Sequence, residues 1–282
     1  MALAFILPAT IGFGVFLVWP AIRGIWLSFT DYSVFQPPHF IGLDNYRRMF
    51  ADPVFWSSMR VTVYYVIVNI GVQTVVALVL AVLLNRLTKS LWVRGVVLTP
   101  YLVSNVVTAM LWLLLLDYQL GIVNQLLDWL GIGRQSFWGD PALVIPTIAL
   151  VNVWRHVGYT ALLIFAGLQT ISPQIYEAGK VDGATETAMF WRLTVPLLRP
   201  YLAMVLIVTS IGAFQVFDTV SVATQGGPAN ASNVIQYYIY KVAFSRYDFG
   251  YASAMSVALL VVLSFITVVQ YRLSRAGSVA ES

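Results

Sequence analysis

The sequence contains no cysteine, which excludes disulfide bonds, thiolate metal ligands and cysteine nucleophiles. Charged residues are also scarce, at 10% of the 282 residues, whereas a typical soluble domain carries about 25%. The only two histidines, His39 and His156, are isolated from each other and are interpreted as structural rather than metal-binding. No Ser/His/Asp set or carboxylate pair converges in the sequence. These absences leave little support for an enzyme.

Hydrophobic residues make up 59% of the chain, and the mean hydropathy is +0.80. At about 20 apolar residues per span, the chain has room for roughly six or seven membrane-spanning helices. The net charge is +4 and the pI about 9.3, but no basic cluster with interleaved aromatic residues is present. A lipid bilayer is therefore the predicted environment, and nucleic acid is not a predicted partner.

Six long apolar runs predict an all-α integral membrane protein that forms a single membrane domain over residues 1–282. The predicted transmembrane helices cover about residues 3–29, 58–84, 95–116, 142–169, 200–223 and 250–271. The first run lacks a basic flank and an A-x-A cleavage site, so it is interpreted as a retained helix rather than a signal peptide. A short surface helix is expected near residues 234–245.

The distribution of Lys and Arg predicts that both termini are cytoplasmic. The side that holds the termini carries Arg86, Lys89, Arg94, Lys180, Arg192, Arg199, Arg272 and Arg275. The opposite side carries Arg47, Arg48, Arg134, Lys241 and Arg246, which are spread over longer loops.

The only long cytoplasmic loop, residues 170–199, is the most informative segment. Ser172-Pro173 is a helix start signal, because Ser caps a helix and Pro fits its first residue. A short helix is predicted over 173–181, followed by a turn at Asp182-Gly183 and a second helix over about 185–193. Apolar residues mix with charged ones on this loop, so it either contacts a partner surface or lies back on its own helices or on lipid headgroups.

The loop resembles the EAA loop of ABC importer permeases. The matching residues are Glu177-Ala178-Gly179, then Gly183, then Leu193-Thr194-Val195-Pro196, with the family spacing throughout. Gly179, Leu193 and Val195 stand where the pattern has Ala, Ile and Leu. Gly179 is expected to loosen the first short helix by about 1 kcal/mol relative to Ala. Further segments are similar to sugar permeases of the maltose-like and glycerol-3-phosphate-like group: WPAIRGIWLSFTDY, FIGLDNYRRMF, VFDTVSVATQGGPANAS and YIYKVAFSRYDFGYASAMSV.

This resemblance implies a type I ABC importer permease fold with six transmembrane helices, multi-pass in a bacterial plasma (inner) membrane. Residues 57–271 would be the core permease region and residues 171–199 the coupling loop. The implied partners are a second, homologous permease, two cytoplasmic ATPase subunits that hold ATP and Mg, and an extracytoplasmic solute-binding protein. The coupling residues would be Glu177, Ala178, Gly179, Asp182, Gly183, Leu193 and Pro196, with Glu177 pairing with basic groups of the ATPase.

The chain itself is predicted to bind no cofactor and to hydrolyse no ATP. Gly179-Lys180 is followed by Val181 and lacks the upstream glycine of a P-loop, so backbone amides cannot cradle phosphates there. A stand-alone secondary transporter or channel is the alternative, and it typically carries paired carboxylates or ion sites within the membrane. A membrane-embedded enzyme is a further alternative that requires a convergent site.

Polar side chains at membrane depth are the candidates for a solute path, because they are costly there and usually face a cavity or a partner. Polar residues at this depth are Asn69, Gln73, Asn105, Asn152, Arg155, His156, Gln215 and Asp218. The predicted path residues among them are Asn105, Asn152, Arg155, Gln215 and Asp218. Arg155 is expected to face water or a carboxylate or carbonyl partner. A sugar path needs amide and hydroxyl groups beside aromatic faces, and Asn105, Asn152 and Gln215 suit that role. The resemblance leaves a sugar, a polyol or a phosphorylated glycerol compound open as the substrate, and Arg155 would suit a phosphate. The competing interpretation is that these side chains form hydrogen bonds between helices.

Overall fold

The structure is a computed structural model that describes residues 2–88 and 90–279. Lys89, one of the predicted cytoplasmic cations, lies outside the described residues, and so does the side chain of Arg275. The described chain is helical. The helices are α1 Ala2–Phe13, α2 Trp19–Leu27, α3 Asp44–Ala51, α4 Pro53–Leu87, α5 Leu91–Leu102, α6 Asn105–Leu115, α7 Ile122–Trp129, α8 Val144–Leu168, α9 Pro173–Val181, α10 Glu186–Met189, α11 Val195–Leu197, α12 Arg199–Phe214, α13 Ile235–Tyr240 and α14 Phe249–Val279.

Six membrane spans result when each sharply bent helix pair is counted as one. Four helical segments of the described chain are long and apolar enough to cross by themselves: Ile6–Leu27, Pro53–Leu87, Val144–Leu168 and Phe249–Ser274. Two further spans are bent pairs, α5 with α6 at 89° and Glu186–Leu197 with α12 at 65°. The predicted six-helix fold is confirmed.

The predicted continuous third helix, residues 95–116, is wrong in one respect, because the chain breaks between α5 and α6. Val103 and Ser104 have extended backbone, with ψ of 137° and 145°. Pro100 lies in the last turn of α5, where its missing N–H and its ring weaken the helix. The helix therefore ends at Leu102 and restarts in a new direction at Asn105.

The predicted fifth helix, residues 200–223, is also interrupted. It ends at Phe214, and a π-helical turn resumes at Val220–Thr224. The second predicted helix starts earlier, at Pro53, and the sixth runs on to Val279. The expected surface helix near 234–245 is present as α13 with the π-helical turn Lys241–Ser245.

The chain divides into two compact units: Met1–Met59 with Ile235–Phe265, and Arg60–Val234 with Ile266–Ser282. Polar side-chain contacts, one of them buried, hold the first unit together. Asn45 donates hydrogen bonds to the carbonyls of Ser28 and Thr30, at 3.0 and 2.8 Å. Arg48 pairs with Asp248 at 2.7 Å. These contacts connect segments that are far apart in sequence.

The second unit packs closely because small residues lie between its helices, as is usual in membranes. Ala77 and Ala81 of α4 and Ala161 of α8 are fully buried in its apolar core, together with Leu198. Gly158 of α8 lies directly against the main chain of α5, where a Cβ atom would collide with the Val97 carbonyl. The backbones of α5 and α8 can therefore approach each other closely.

Candidate functional site

A cavity of about 460 Å³ lies within the second unit. All five residues that the sequence predicted for the path line this cavity: Asn105, Asn152, Arg155, Gln215 and Asp218. Its other polar lining residues are Tyr65, Asn69, Gln73, Tyr101, His156, Tyr159, Thr160, Thr209 and Thr219. The wall consists mostly of amide and hydroxyl groups with aromatic rings.

Arg155 is fixed at the helix break. Its Nε donates a hydrogen bond of 2.8 Å to the Val103 carbonyl, and its Nη1 lies 2.8 Å from Nε2 of His156. The guanidinium also lies 5.3 Å from the centre of the Tyr101 ring. Of the partners expected for Arg155, which were water, a carboxylate or a carbonyl, the structure shows a carbonyl. The Arg155 contact supplies a partner for a carbonyl that the broken helix would otherwise leave unpaired within the membrane.

Asp218 accepts a hydrogen bond from Asn105, the first residue of α6, in the wall of the cavity. The Asn105 Nδ2 group donates to its Oδ2 at 2.7 Å. The Oδ1 atom of Asn105 is buried and has no hydrogen-bond partner within the described part of the chain. Asn105 therefore holds Asp218 through its amide N–H and leaves its own buried amide oxygen unsatisfied beside the cavity.

Asn152 and Gln215 differ in how they are held. Asn152 donates to the Ile148 carbonyl at 3.0 Å, and its Oδ1 accepts from Thr219 Oγ1 at 3.2 Å. Asn152 is therefore occupied by contacts within the protein. Gln215 follows the last residue of α12, and its side chain is exposed.

The sequence singles out Asn69 and Gln73 as polar residues at membrane depth, but it predicts neither their hydrogen-bonded chain nor the stacking of two tyrosine rings in the cavity wall. Along α4, Tyr65 donates to Asn69 and Asn69 donates to Gln73, each at 3.2 Å, and Gln73 donates to Thr160 at 2.8 Å. The spacing of three polar residues four apart was the available signal, because it places them on one helix face. The rings of Tyr101 and Tyr159 stack at 4.5 Å, which no local pattern indicates.

Both short helices predicted within residues 170–199 are present, the second as α10 followed by a π-helical turn at Phe190–Thr194. The first is α9, Pro173–Val181, with the extended residue Ser172 before it. Gly183 follows in the left-handed conformation, with φ of +74°. Thr185 then caps α10 by accepting a hydrogen bond of 3.2 Å from the Ala188 amide.

The loop is anchored on one side and exposed on the other. Arg86, at the end of α4, pairs with Glu186 at 2.8 Å, and the Tyr176 hydroxyl lies 3.1 Å from Thr194 Oγ1. Glu177 and Asp182 are exposed, and so is Val181, at 87%. Of the other predicted coupling residues, Ala178 and Gly183 are exposed and Gly179, Leu193 and Pro196 are partly buried.

A family of proteins described as "Binding-protein-dependent transport system inner membrane component" matches residues 73–277. The chain belongs to this family. It is thus a permease subunit of an importer, and the ATPase of such importers is a separate subunit. Within the described residues, no group of three or more His, Asp or Glu side chains is placed to hold a metal ion.

Named relatives cover nearly the whole permease. It is 34% identical, over 96% of its length and 89% of the relative, to the probable ABC transporter permease protein YesP of Bacillus subtilis. It is 35% identical to the trehalose/maltose transport system permease protein MalF of Thermococcus litoralis, over 93% of this chain and 89% of that one. It is 29% identical to the sn-glycerol-3-phosphate transport system permease protein UgpA of Pectobacterium atrosepticum, over 95% of this chain and 91% of that one.

A solved structure shares the fold of the permease along almost its full length. It is a crystal structure of a bacterial ABC transporter involved in the import of the acidic polysaccharide alginate. The TM-score is 0.85 at 26% sequence identity, over 97% of this chain and 94% of that chain. A second structure shows the alginate transporter in complex with a periplasmic protein that holds an alginate pentasaccharide, with the same TM-score.

Proposed function

We propose that this permease and a second, homologous permease form the membrane path for a sugar or a related polyol or glycerol-phosphate solute. An extracytoplasmic solute-binding protein delivers the solute, and two cytoplasmic ATPase subunits that bind ATP and Mg drive the cycle. The complex lies in a bacterial plasma membrane with both termini of this chain in the cytoplasm. The observation that carries the proposal is the polar cavity within the membrane-spanning second unit.

The chemistry of the cavity favours an uncharged, hydroxyl-rich solute. Amide groups donate and accept hydrogen bonds, and tyrosine rings cover the apolar faces of a sugar. The lining contains the cation Arg155 and the carboxylate Asp218, so an anionic solute meets attraction and repulsion together. The names of relatives support this substrate class, since MalF is named for trehalose and maltose.

A phosphorylated glycerol compound is the second candidate. Arg155 favours it, because a guanidinium recognises phosphate through paired N–H donors. The relative UgpA is named for such a substrate. In that case the Arg155 guanidinium would have to bind the solute and the Val103 carbonyl at the same time.

Uptake by the reconstituted importer tests the proposed path. We expect Gln215→Leu and Asn105→Leu each to reduce uptake of the cognate solute about tenfold, since a lost hydrogen bond of roughly 1.4 kcal/mol has that effect. Stimulation of the ATPase by loaded binding protein should remain. Gln119→Leu is the matched control, because Gln119 is exposed and lies outside the cavity. Unchanged uptake in both cavity variants would contradict the path.

The proposed coupling segment is residues 171–199, within a core permease region of residues 57–271. Its support is the exposed surface of Glu177 and Val181 on α9 and of Asp182 just after it, together with the Arg86–Glu186 ion pair, which connects α10 to α4. A short helix anchored in this way transmits a displacement, whereas a flexible loop would absorb it. Glu177 would pair with basic groups of the ATPase, and Gly183 would shape the turn.

A further inference from the structure

The short helix α7, Ile122–Trp129, presents an apolar face that nothing in the described chain covers. Ile122, Leu126, Trp129 and Leu130 are all exposed, Trp129 by 82%. Leu126 lies four residues after Ile122, and Trp129 three residues after Leu126, with Leu130 next to it. This spacing places the four side chains on one side of a helix. Leu120 before the helix and Ile132 after it are exposed as well and extend the same apolar strip.

The opposite face of α7 is polar and firmly held. Asn124 is fully buried, and its Nδ2 group donates to the carbonyls of Asp117 and Gln135, both at 3.0 Å. Its Oδ1 atom accepts the Gln135 amide at 2.8 Å. These hydrogen bonds fix the rotation of α7, so its apolar face is held outwards.

The same side chain holds α7 close to the end of α6. Asn124 Nδ2 also lies 3.4 Å from the carbonyl of Leu116, the residue directly after α6. Helix α6 is half of a bent pair that is long and apolar enough to cross a membrane, and α7 begins shortly after that pair ends. With both termini cytoplasmic, this is the extracytoplasmic end.

A helix face in contact with water would carry polar residues, whereas the exposed face of α7 that holds Ile122, Leu126 and Trp129 is apolar. The ion pair of Asp128 with Arg134, at 3.4 Å, lies away from the apolar face and stays accessible. Apolar residues on one side, charge on the other and an exposed Trp are the features of a helix that lies in the membrane interface.

We propose that α7 lies flat in the outer-leaflet interface of the bilayer, with Ile122, Leu126, Trp129 and Leu130 in contact with lipid. The Asn124 hydrogen bonds orient the helix in advance, so lipid contact requires no rearrangement of the loop. The apolar face consists of Ile, Leu and Trp side chains, which suit acyl chains and the headgroup boundary. This role is independent of the solute path and of the coupling segment.

The absence of native cysteine makes a direct test feasible. Single cysteines at Leu126, Trp129 and Asp128 would carry a nitroxide spin label in the importer, assembled with its partner permease and ATPase subunits in lipid nanodiscs. Relaxation enhancement by oxygen, which partitions into lipid, is compared with that by a water-soluble nickel chelate. Asp128→Cys is the matched control, because it is on the same helix but faces away from the apolar strip.

Lipid contact predicts that the ratio of oxygen to nickel accessibility is several-fold higher at positions 126 and 129 than at position 128. Low accessibility to both reagents at 126 and 129 would show that a protein subunit covers α7 and would overturn the proposal. High nickel accessibility at these positions would place the face in water and would overturn it equally.

Discussion

Asp52 shows how a single carboxylate organises the first unit of the permease. It accepts hydrogen bonds from the hydroxyls of Tyr238 and Tyr251, at 2.6 and 2.7 Å, and from the Val54 amide at 2.8 Å. Burial alone would raise the pKa of Asp52, but the hydrogen bonds outweigh it and hold the pKa below 3.8. Burial, reinforced by Asp52, raises the pKa of Tyr238 to about 12.

The pH dependence follows from the signs of these shifts. Because the pKa of Asp52 is lowered on folding, its stabilisation is complete above 3.8 and is lost as the pH falls through the folded-state pKa. Because the pKa of Tyr238 is raised on folding, its contribution is complete below 10.0 and is lost as the pH rises through about 12. The cluster is thus most stable between these limits.

We expect Asp52→Asn to lower the free energy of unfolding at neutral pH by about 2 kcal/mol, since hydrogen bonds to a charged group contribute roughly 1.5–3 kcal/mol each. The variant should also lose part of the fall in stability that the wild type shows below about pH 4. Thermal unfolding in detergent across that pH range measures both effects. Asp44→Asn is the control, because Asp44 is exposed and its ion pair is with the neighbouring, equally exposed Arg47. An unchanged acid response in Asp52→Asn would contradict this role.

At the scale of helices, Gly158 is the contact that lets α8 lie against α5. A Cβ atom there would collide with the Val97 carbonyl, which belongs to the main chain and cannot rotate away. We expect Gly158→Ala to destabilise the protein by about 1–3 kcal/mol, because the helices must separate. Thermal unfolding measures the change.

Gly71 of α4 offers a matched control in the same unit, because a Cβ atom there meets nothing within 4 Å. Gly71→Ala should leave the stability unchanged or raise it by up to about 1 kcal/mol through helix propensity. Equal effects of Gly158→Ala and Gly71→Ala would mean that the approach of α5 to α8 does not depend on Gly158.

Two glycines of the cytoplasmic loop should respond differently to alanine. At Gly179, a Cβ atom would meet the flexible ends of Leu193 and Met189, at 3.2 and 3.4 Å. Gly179→Ala should therefore be tolerated and should stabilise α9 by up to about 1 kcal/mol. Gly183 has open space around it, but its φ of +74° makes Gly183→Ala cost roughly 1–2 kcal/mol.

ATPase stimulation in the assembled importer measures this difference. We expect stimulation to be retained in Gly179→Ala and reduced in Gly183→Ala. The reverse order would show that the shape of the turn is not what matters for coupling.

The helices could be predicted from sequence where their signals are local. Ser172-Pro173 and the Asp182-Gly183 turn located α9 correctly, because capping and turn preferences act over a few residues. The break between α5 and α6 was missed. Pro100 gave a local hint, but the Val103 carbonyl finds its partner in Arg155, 52 positions further along the chain. A contact of that separation leaves no periodic signal.

At the scale of the whole molecule, composition was enough to predict a six-span membrane protein, because scarce charge combined with long apolar runs is typical of membrane-spanning helices. The polarity of the five path candidates also singled them out, and the structure brings all five to one cavity. Their grouping, and the Tyr101–Tyr159 stack beside them, depend on how the helices fold together. The sequence pattern alone could not supply that arrangement.

The central claim is that this permease couples a solute cavity to separate ATPase subunits through the loop over residues 171–199. The most direct measurement is ATPase activity of the importer in nanodiscs, with and without loaded binding protein, for the wild type and for the double variant Glu177→Ala/Gly183→Pro. We predict that loaded binding protein stimulates the wild type and that this stimulation collapses in the variant. Stimulation that survives the double substitution, or failure of the chain to assemble with any ATPase, would contradict the claim and favour a secondary transporter.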